Sequence, residues 1–167
     1  MTVKPRGHIC YHGYTPGAVG RISEAHAVYY HKYWGFDVSF EAQVATELSA
    51  FVIGLQAKRE NLWEANIDSV FAGAIAITDA GKHEARLRWF IVMPPYQKCG
   101  IGKALIQKAI AFSREKEYRR VYLWTFDGLD RARKLYELSG FTLSREQVAQ
   151  QWGQQVREQR FDLILSL

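Results

Sequence analysis

The sequence predicts a single mixed α/β domain over residues 1–167, with about seven strands in a mixed central sheet and about four helices. Three observations lead there. At 167 residues the chain is long enough for one core that buries about 70% of its unfolded surface, and too short for two ordinary domains. A content of 48% hydrophobic and 23% charged residues belongs to a folded globular chain rather than a disordered one. Strand-like and helix-like patterns also alternate to the end, with no repeat, linker or low-complexity stretch between them.

In order, "HICYHGY" predicts a short strand. A helix from about Gly17 to Trp34 follows, with Val19, Ile22, His26, Tyr29 and Tyr33 on one face at helical spacing. Ser39 is the expected cap of a second helix, with Glu41 near the positive end of its dipole and Val44, Leu48, Phe51 and Leu55 as its buried stripe. "ENLWEANID" and "SVFAGAIAIT" predict a hairpin, and "EARLRWFIV" a further strand that stops at Pro94 and Pro95, where ladder donors are lost. The next helix carries Ile101, Leu105, Ala109 and Phe112 on one face. It leads to "RRVYLWTF", a β-branched and aromatic strand, and to the helix "LDRARKLYELSGF", ended by Gly140. Two strands complete the order, the last being "QRFDLILSL".

Several function classes are disfavoured. The longest apolar run, around "WFIVMPP", is far short of the roughly 20 residues a membrane span needs, and "MTVKPRGHICYHG" has no signal-peptide core, so a cytoplasmic location is expected. Cys10 and Cys99 make no disulfide framework, and the five histidines show no zinc-like spacing, so no metal is expected. The net charge of +5 is spread along the chain with no basic block and no nucleic-acid-binding signature; a polyanionic cofactor uses it equally well.

"YQKCGIGKAL", residues 96–105, places Gly100 and Gly102 where a strand hands over to a helix, a natural phosphate site. A nucleotide P-loop would need Gly at Gln97 and a hydroxyl at Ala104, and a dinucleotide fingerprint would need Gly at Leu105. The pattern Gln/Arg-x-x-Gly-x-Gly/Ala is met in full by Gln97, Gly100 and Gly102, and resembles the pyrophosphate loop of the GCN5-related N-acetyltransferases (GNAT). "ARKLYELSGF" resembles that family's helix signature Ala-x-x-Leu-Tyr-Glu-x-x-Gly-Phe, through Ala132, Leu135, Tyr136, Glu137, Gly140 and Phe141. The element order matches the family's across nearly the whole chain. More narrowly, "ARLRWFIV", "LWT" and "GHI…HAVYY…WGFD" look like the acetyltransferase half found fused to MarR-type regulators, although no winged-helix half is present and DNA binding is not inherited.

The resemblance implies acetyl transfer from acetyl-CoA to an amine, with a non-catalytic acyl-CoA-binding or sensing domain as the competing class. Backbone N–H groups from Cys99 through Gly100, Ile101 and Gly102 to Lys103 are then expected to face the pyrophosphate, with added contacts from the side chains of Gln97 and Lys98. Ile91 and Val92 are expected to pair their backbone with the pantetheine arm as a strand would. The Asn that many members place after the next strand is missing from "TFDGLD". The signature places Tyr136 beside the sulfur as general acid, the alternative being a core aromatic. For the general base the candidates are Glu84, His8, His12 and His26, since Arg86 stands about where family members carry a strand carboxylate. Cys99 has no visible His/Asn partner for acyl-enzyme chemistry, and a small residue tolerated in the loop is its expected role.

The expected acceptor is a small-molecule amine. Arg86 and Arg88, two apart on a strand, project onto one face together with Glu84 and Phe90. They are either solvated or salt-bridged, or they fork onto an anionic group of the acceptor, with His26, Tyr29, Tyr30 and Trp34 as an aromatic wall. Neither a nucleic-acid nor a membrane partner is expected, and the chain is compatible with a homodimer.

Overall fold

The computed structural model of the protein describes residues 7–165. Its strands are β1 (Ile9–His12), β2 (Asn61–Ile67), β3 (Val70–Gly81), β4 (Glu84–Val92), β5 (Arg120–Phe126), β6 (Thr142–Gln151) and β7 (Gln154–Ile164). Its helices are α1 (Ala18–Trp34), α2 (Val38–Gly54), α3 (Ile101–Glu115) and α4 (Asp130–Leu138). The strands form one sheet in the order β1-β2-β3-β4-β5-β7-β6. All neighbours are antiparallel except β4 and β5, which are parallel and joined through α3. Ser166 and Leu167 of the expected last strand lie outside the described residues.

A core lies on each face of the sheet. Alternation along β3 sends Ile75 and Ile77 to the side of α3 and α4, where they meet Ile101, Leu105 and Ala109. Ala74 and Ala76 go to the side of α1 and α2, against Ile22, Phe40 and Leu48. Leu105 is fully buried, and its truncation to Ala is expected to cost about 2–5 kcal/mol.

Local details correct the sequence reading in three places. Gly17 is the left-handed N-cap of α1 rather than part of it, and the helix buries Ala18, Ile22, Ala25 and His26. Tyr33 on that helix is exposed and Tyr29 only partly covered, while Tyr30 turns inward. Asp37, not Ser39, caps α2, because its carboxylate accepts the Ser39 N–H at 2.9 Å; Ser39 falls inside the helix.

The third correction matters most. In the β3–β4 pairing Ala74 faces Ile91 and Ala76 faces Arg88, so Trp89 and Phe90 together oppose the single residue Ile75. This is a bulge, and Trp89 takes a φ of 46°, unfavourable for a bulky residue. The extra residue inverts the alternation. Arg86 and Arg88 stay on the α1/α2 side, whereas Phe90 and Val92 join the α3/α4 core, so Phe90 does not share a face with the arginines.

Candidate active site

Parallel pairing between β4 and β5 covers only Glu84–Arg86 against Arg120–Tyr122; beyond Arg86 the two strands separate. The β4 edge from Leu87 to Val92, including the expected pantetheine contacts Ile91 and Val92, therefore has no strand beside it on the β5 side. A cavity of about 430 Å³ occupies the part of this gap beside Arg86–Phe90, short of Ile91, Val92 and the loop that follows, and reaches both faces of the sheet: Leu87, Phe90 and Tyr136 line it from one side, Tyr30, Phe40 and Trp89 from the other.

At the end of this gap the chain turns through a 3₁₀ segment at Pro94–Tyr96 into α3. The N–H groups from Lys98 to Lys103 find no protein acceptor among the described residues, and the first helical bond runs from Ala104 N–H to the Gly100 carbonyl at 3.0 Å. The two glycines serve different ends. Gly100 has φ +85° with open space around its missing Cβ, so it supplies a left-handed turn and leaves the loop open to solvent. A Cβ on Gly102 would meet Leu135 Cδ1 at 3.1 Å and Phe90 Cζ at 3.3 Å, so that glycine lets α3 pack onto β4 and α4. Lys98 and Lys103 are exposed and Ile101 is buried, leaving Ile101 only its backbone to offer a ligand. Gln97 turns inward: its Nε2 donates to the Val92 carbonyl at 3.0 Å and its Oε1 accepts from Arg131 at 2.8 Å. Arg131, which the helix signature does not include, thus ties α4 to the loop. Cys99 donates its thiol to the Gln97 carbonyl at 3.4 Å. A free cationic N-terminal turn beside an unpaired strand edge fits the pyrophosphate and pantetheine arm of a CoA thioester.

Tyr136 is only 5% exposed and lines the cavity, with Phe90, Phe141 and Phe161 rings 5.9–6.2 Å from its own. Burial first, and then the neighbouring Tyr30, raises its phenol well above the ordinary tyrosine value. It therefore stays protonated as a donor. Burial likewise raises Tyr30.

Across the gap, the joint between α1 and α2 carries an aromatic cluster. Tyr30 lies 5.2 Å from Phe40 and 5.6 Å from Phe126, and Trp152, from the turn between β6 and β7, lies 5.1 Å from Phe40. Trp152 is held there by its Nε1, which donates to Gln43 Oε1 at 2.8 Å across 109 residues of sequence. No local pattern could have placed it.

His26 is buried within this wall. Its Nδ1–H donates to the Ile22 carbonyl at 2.8 Å, leaving Nε2 as an acceptor on a ring that lines the cavity. Burial pushes its pKa down to about 4, so the ring is neutral. Of the base candidates it alone lines the cavity among the described residues. Glu84 pairs with Arg120 at 3.0 Å, His12 lies 3.9 Å from Glu64 beside β2, and His8 is exposed near β1.

Arg86 and Arg88 both line the cavity, but they are not equivalent. Arg88 is ion-paired with Glu47 of α2 and stacks on Trp89, its guanidinium carbon 4.2 Å from the ring centre. Arg86 has no carboxylate partner among the described residues, and its Nε is enclosed without an acceptor.

Comparison with known proteins agrees with this geometry. The model of the acetyltransferase (GNAT) family matches residues 21–141. Among solved structures, a GNAT-family acetyltransferase from Staphylococcus aureus superposes with a TM-score of 0.77 at 17% identity, covering 95% of this chain and 100% of that one. The Salmonella typhimurium protein yncA, solved with its cofactor acetyl-CoA, gives 0.76 at 13% identity, over 96% and 95% of the two chains. A ribosomal-protein-alanine N-acetyltransferase from Brucella melitensis gives 0.74 at 14% identity, over 93% and 99%. At these identities the likeness to each is one of fold, and none of the three is described as a MarR fusion. No curated protein matches the chain in sequence.

Proposed function

This chain belongs to the acetyltransferase (GNAT) family and uses acetyl-CoA as acyl donor, and from that premise we propose that it acetylates a primary amine of a small molecule in the cytoplasm. The observation that supports the reading is the cavity through the gap between β4 and β5, which joins Tyr136 on one face of the sheet to an aromatic and charged lining on the other. Acetyl-CoA supplies an activated acetyl group and a thiolate leaving group. The protein's own groups do the rest. Free N–H groups between Lys98 and Lys103 bind the pyrophosphate, and the open β4 edge at Ile91 and Val92 aligns the arm.

An attacking amine must be neutral and must lose a proton as its nitrogen bonds to the carbonyl carbon, while the departing sulfur gains one as its bond breaks. Tyr136, kept protonated by burial, is the donor to sulfur, and solvent returns its proton. The neutral Nε2 of His26 accepts the amine N–H, which orients the nitrogen lone pair, and the proton released as the N–C bond forms passes through this ring to solvent.

The test is turnover by the purified protein with acetyl-CoA and a panel of primary amines, read as thiol release and as the mass of the acetylated product. Amine-dependent release is expected. Tight acetyl-CoA binding without product from any amine would instead make the protein an acyl-CoA-binding or sensing domain.

A further inference from the structure

Resting on that reading, the cavity's charges narrow the acceptor. On the α1/α2 face of the sheet four guanidiniums have carboxylates: Arg21 with Glu64 at 3.0 Å, Arg88 with Glu47, Arg120 with Glu84 at 3.0 Å, and Arg160 with Asp162 at 2.8 Å. Arg86 stands among them with none. Burial, and then Arg88 beside it, push its pKa below the ordinary arginine value, yet a guanidinium begins high enough to remain a cation at neutral pH. The nearest carboxylate acting on it, Glu47, is already paired with Arg88, and a partly buried charge without a partner of its own is costly to a fold; Arg86 borders the cavity rather than the packed core. On another wall Glu158 accepts from Gln147 at 2.7 Å and from Gln151, so neutral amides hold its charge. The rings of Tyr30, Phe40, Phe126 and Trp152 line the same cavity.

We propose that the acceptor is a zwitterionic amine, an amino acid with an aromatic or large apolar side chain. Its carboxylate forks onto Arg86, its ammonium is drawn in by Glu158 before losing a proton, and its side chain lies on the aromatic surface. A guanidinium suits this task because its planar N–H pair matches both oxygens of a carboxylate. Arg88, already matched by Glu47, is secondary.

The probes are phenylalanine and 2-phenylethylamine, which share a body and an amine and differ by the carboxylate. Calorimetry in the presence of CoA, and acetylation rates, are measured on the wild type, Arg86→Met, Arg86→Lys and Arg88→Met. The wild type is expected to bind phenylalanine about 10- to 10²-fold more tightly than 2-phenylethylamine, the range of one hydrogen bond to a charged group. Arg86→Met removes the difference, Arg86→Lys restores part of it, and Arg88→Met keeps most of it. CoA affinity is unchanged in all three, and the melting temperature of Arg86→Met is not lowered, because an uncompensated cation has gone. Equal binding of the two probes to the wild type, a preference that survives Arg86→Met, or no binding of either probe would overturn the proposal. Arg86-dependent binding of phenylalanine with no acetylated product would remove the transferase reading and leave this site standing. Acetylation of both amines without dependence on Arg86 would do the reverse.

Discussion

On the α3/α4 side of the gap, the wall is made of Phe90, Val92, Leu135 and Tyr136, followed by a turn of free backbone N–H groups. On the α1/α2 side it carries Arg86, His26 and Glu158 set among aromatic rings from α1, α2, β5 and the β6–β7 turn. The first side binds through main chain, which every residue supplies, so what it requires is room and a left-handed turn. The second binds through side chains whose buried polar groups are only partly matched within the protein. On the proposed reading, the same sheet offers a main-chain holder for the donor and a side-chain holder for the acceptor. The bulge at Trp89 and Phe90 separates the two along β4.

The contrast can be broken most forcefully at the loop. Gly100→Glu places a carboxylate in the open space where phosphate is expected. Losing two charge-assisted hydrogen bonds, at about 1.5–3 kcal/mol each, lowers CoA affinity by about 10²-fold or more. The φ of +85° adds a fold cost of about 1–2 kcal/mol for a non-glycine residue. Calorimetry on a folded variant that still binds CoA as the wild type does would sink the donor assignment. Gly102→Ala is expected to differ in kind, lowering the melting temperature through Leu135 and Phe90.

Acid sharpens the acceptor side. His26 titrates near 6.5 when unfolded and at about 4 when folded. Below pH 6.5 the unfolded chain takes up a proton that the native state refuses until about pH 4. The stability associated with a neutral His26 is therefore complete above 6.5 and lost as pH falls toward 4, by about 3 kcal/mol. Urea midpoints at pH 7.5 and 4.5 should show a smaller acid loss in His26→Gln than in the wild type; equal losses would mean that the ring is hydrated.

A smaller effect is expected at Tyr136, where the two sides meet. Tyr136→Phe lowers kcat by about 10²-fold, the low end for general acid catalysis, with CoA affinity and melting temperature nearly unchanged, since only burial and Tyr30, and no hydrogen bond among the described residues, act on the hydroxyl. Because burial raises the phenol, loss of wild-type kcat through its ionisation should begin only above pH 10. An unaltered rate, with chemistry shown to be limiting, would return Tyr136 to the core.

The least change is expected from Glu47→Gln, which releases Arg88 into the cavity. The pair is partly exposed and worth about 0.2–1 kcal/mol, so the preference for phenylalanine over 2-phenylethylamine should rise by no more than about five-fold. A fall in that preference would mean that Glu47 itself holds the acceptor.

Much of the donor side was legible in the sequence. Gln97, Gly100 and Gly102 mark the turn, the limits of β4 coincide with "EARLRWFIV", and Tyr136 stands on its helix as the signature requires. The packing contact at Gly102 shows only in the fold, because its neighbours Leu135 and Phe90 come from other elements. Asp37 and Ser39 are equally good caps by residue type, and the choice depends on where the chain leaves Gly35. On the acceptor side the shared face of Arg86 and Arg88 follows from strand period, whereas the ion pair of Arg88 alone does not, since Glu47 lies on a helix whose register against β4 no local pattern specifies.

By itself the sequence determined the order of elements, the glycine turn and the helix carrying Tyr136, since each depends on dihedral preference or apolar period within one segment. Tertiary structure alone decided what occupies each side of the gap. The bulge arises from two residues of β4 meeting one of β3, the open edge from two parallel strands parting after three pairs, and the acceptor wall from Trp152 meeting Phe40 and Gln43. Whether Arg86 is paired depends on the distances of carboxylates brought in by other elements, and distance between elements is a property of packing rather than of any stretch of chain.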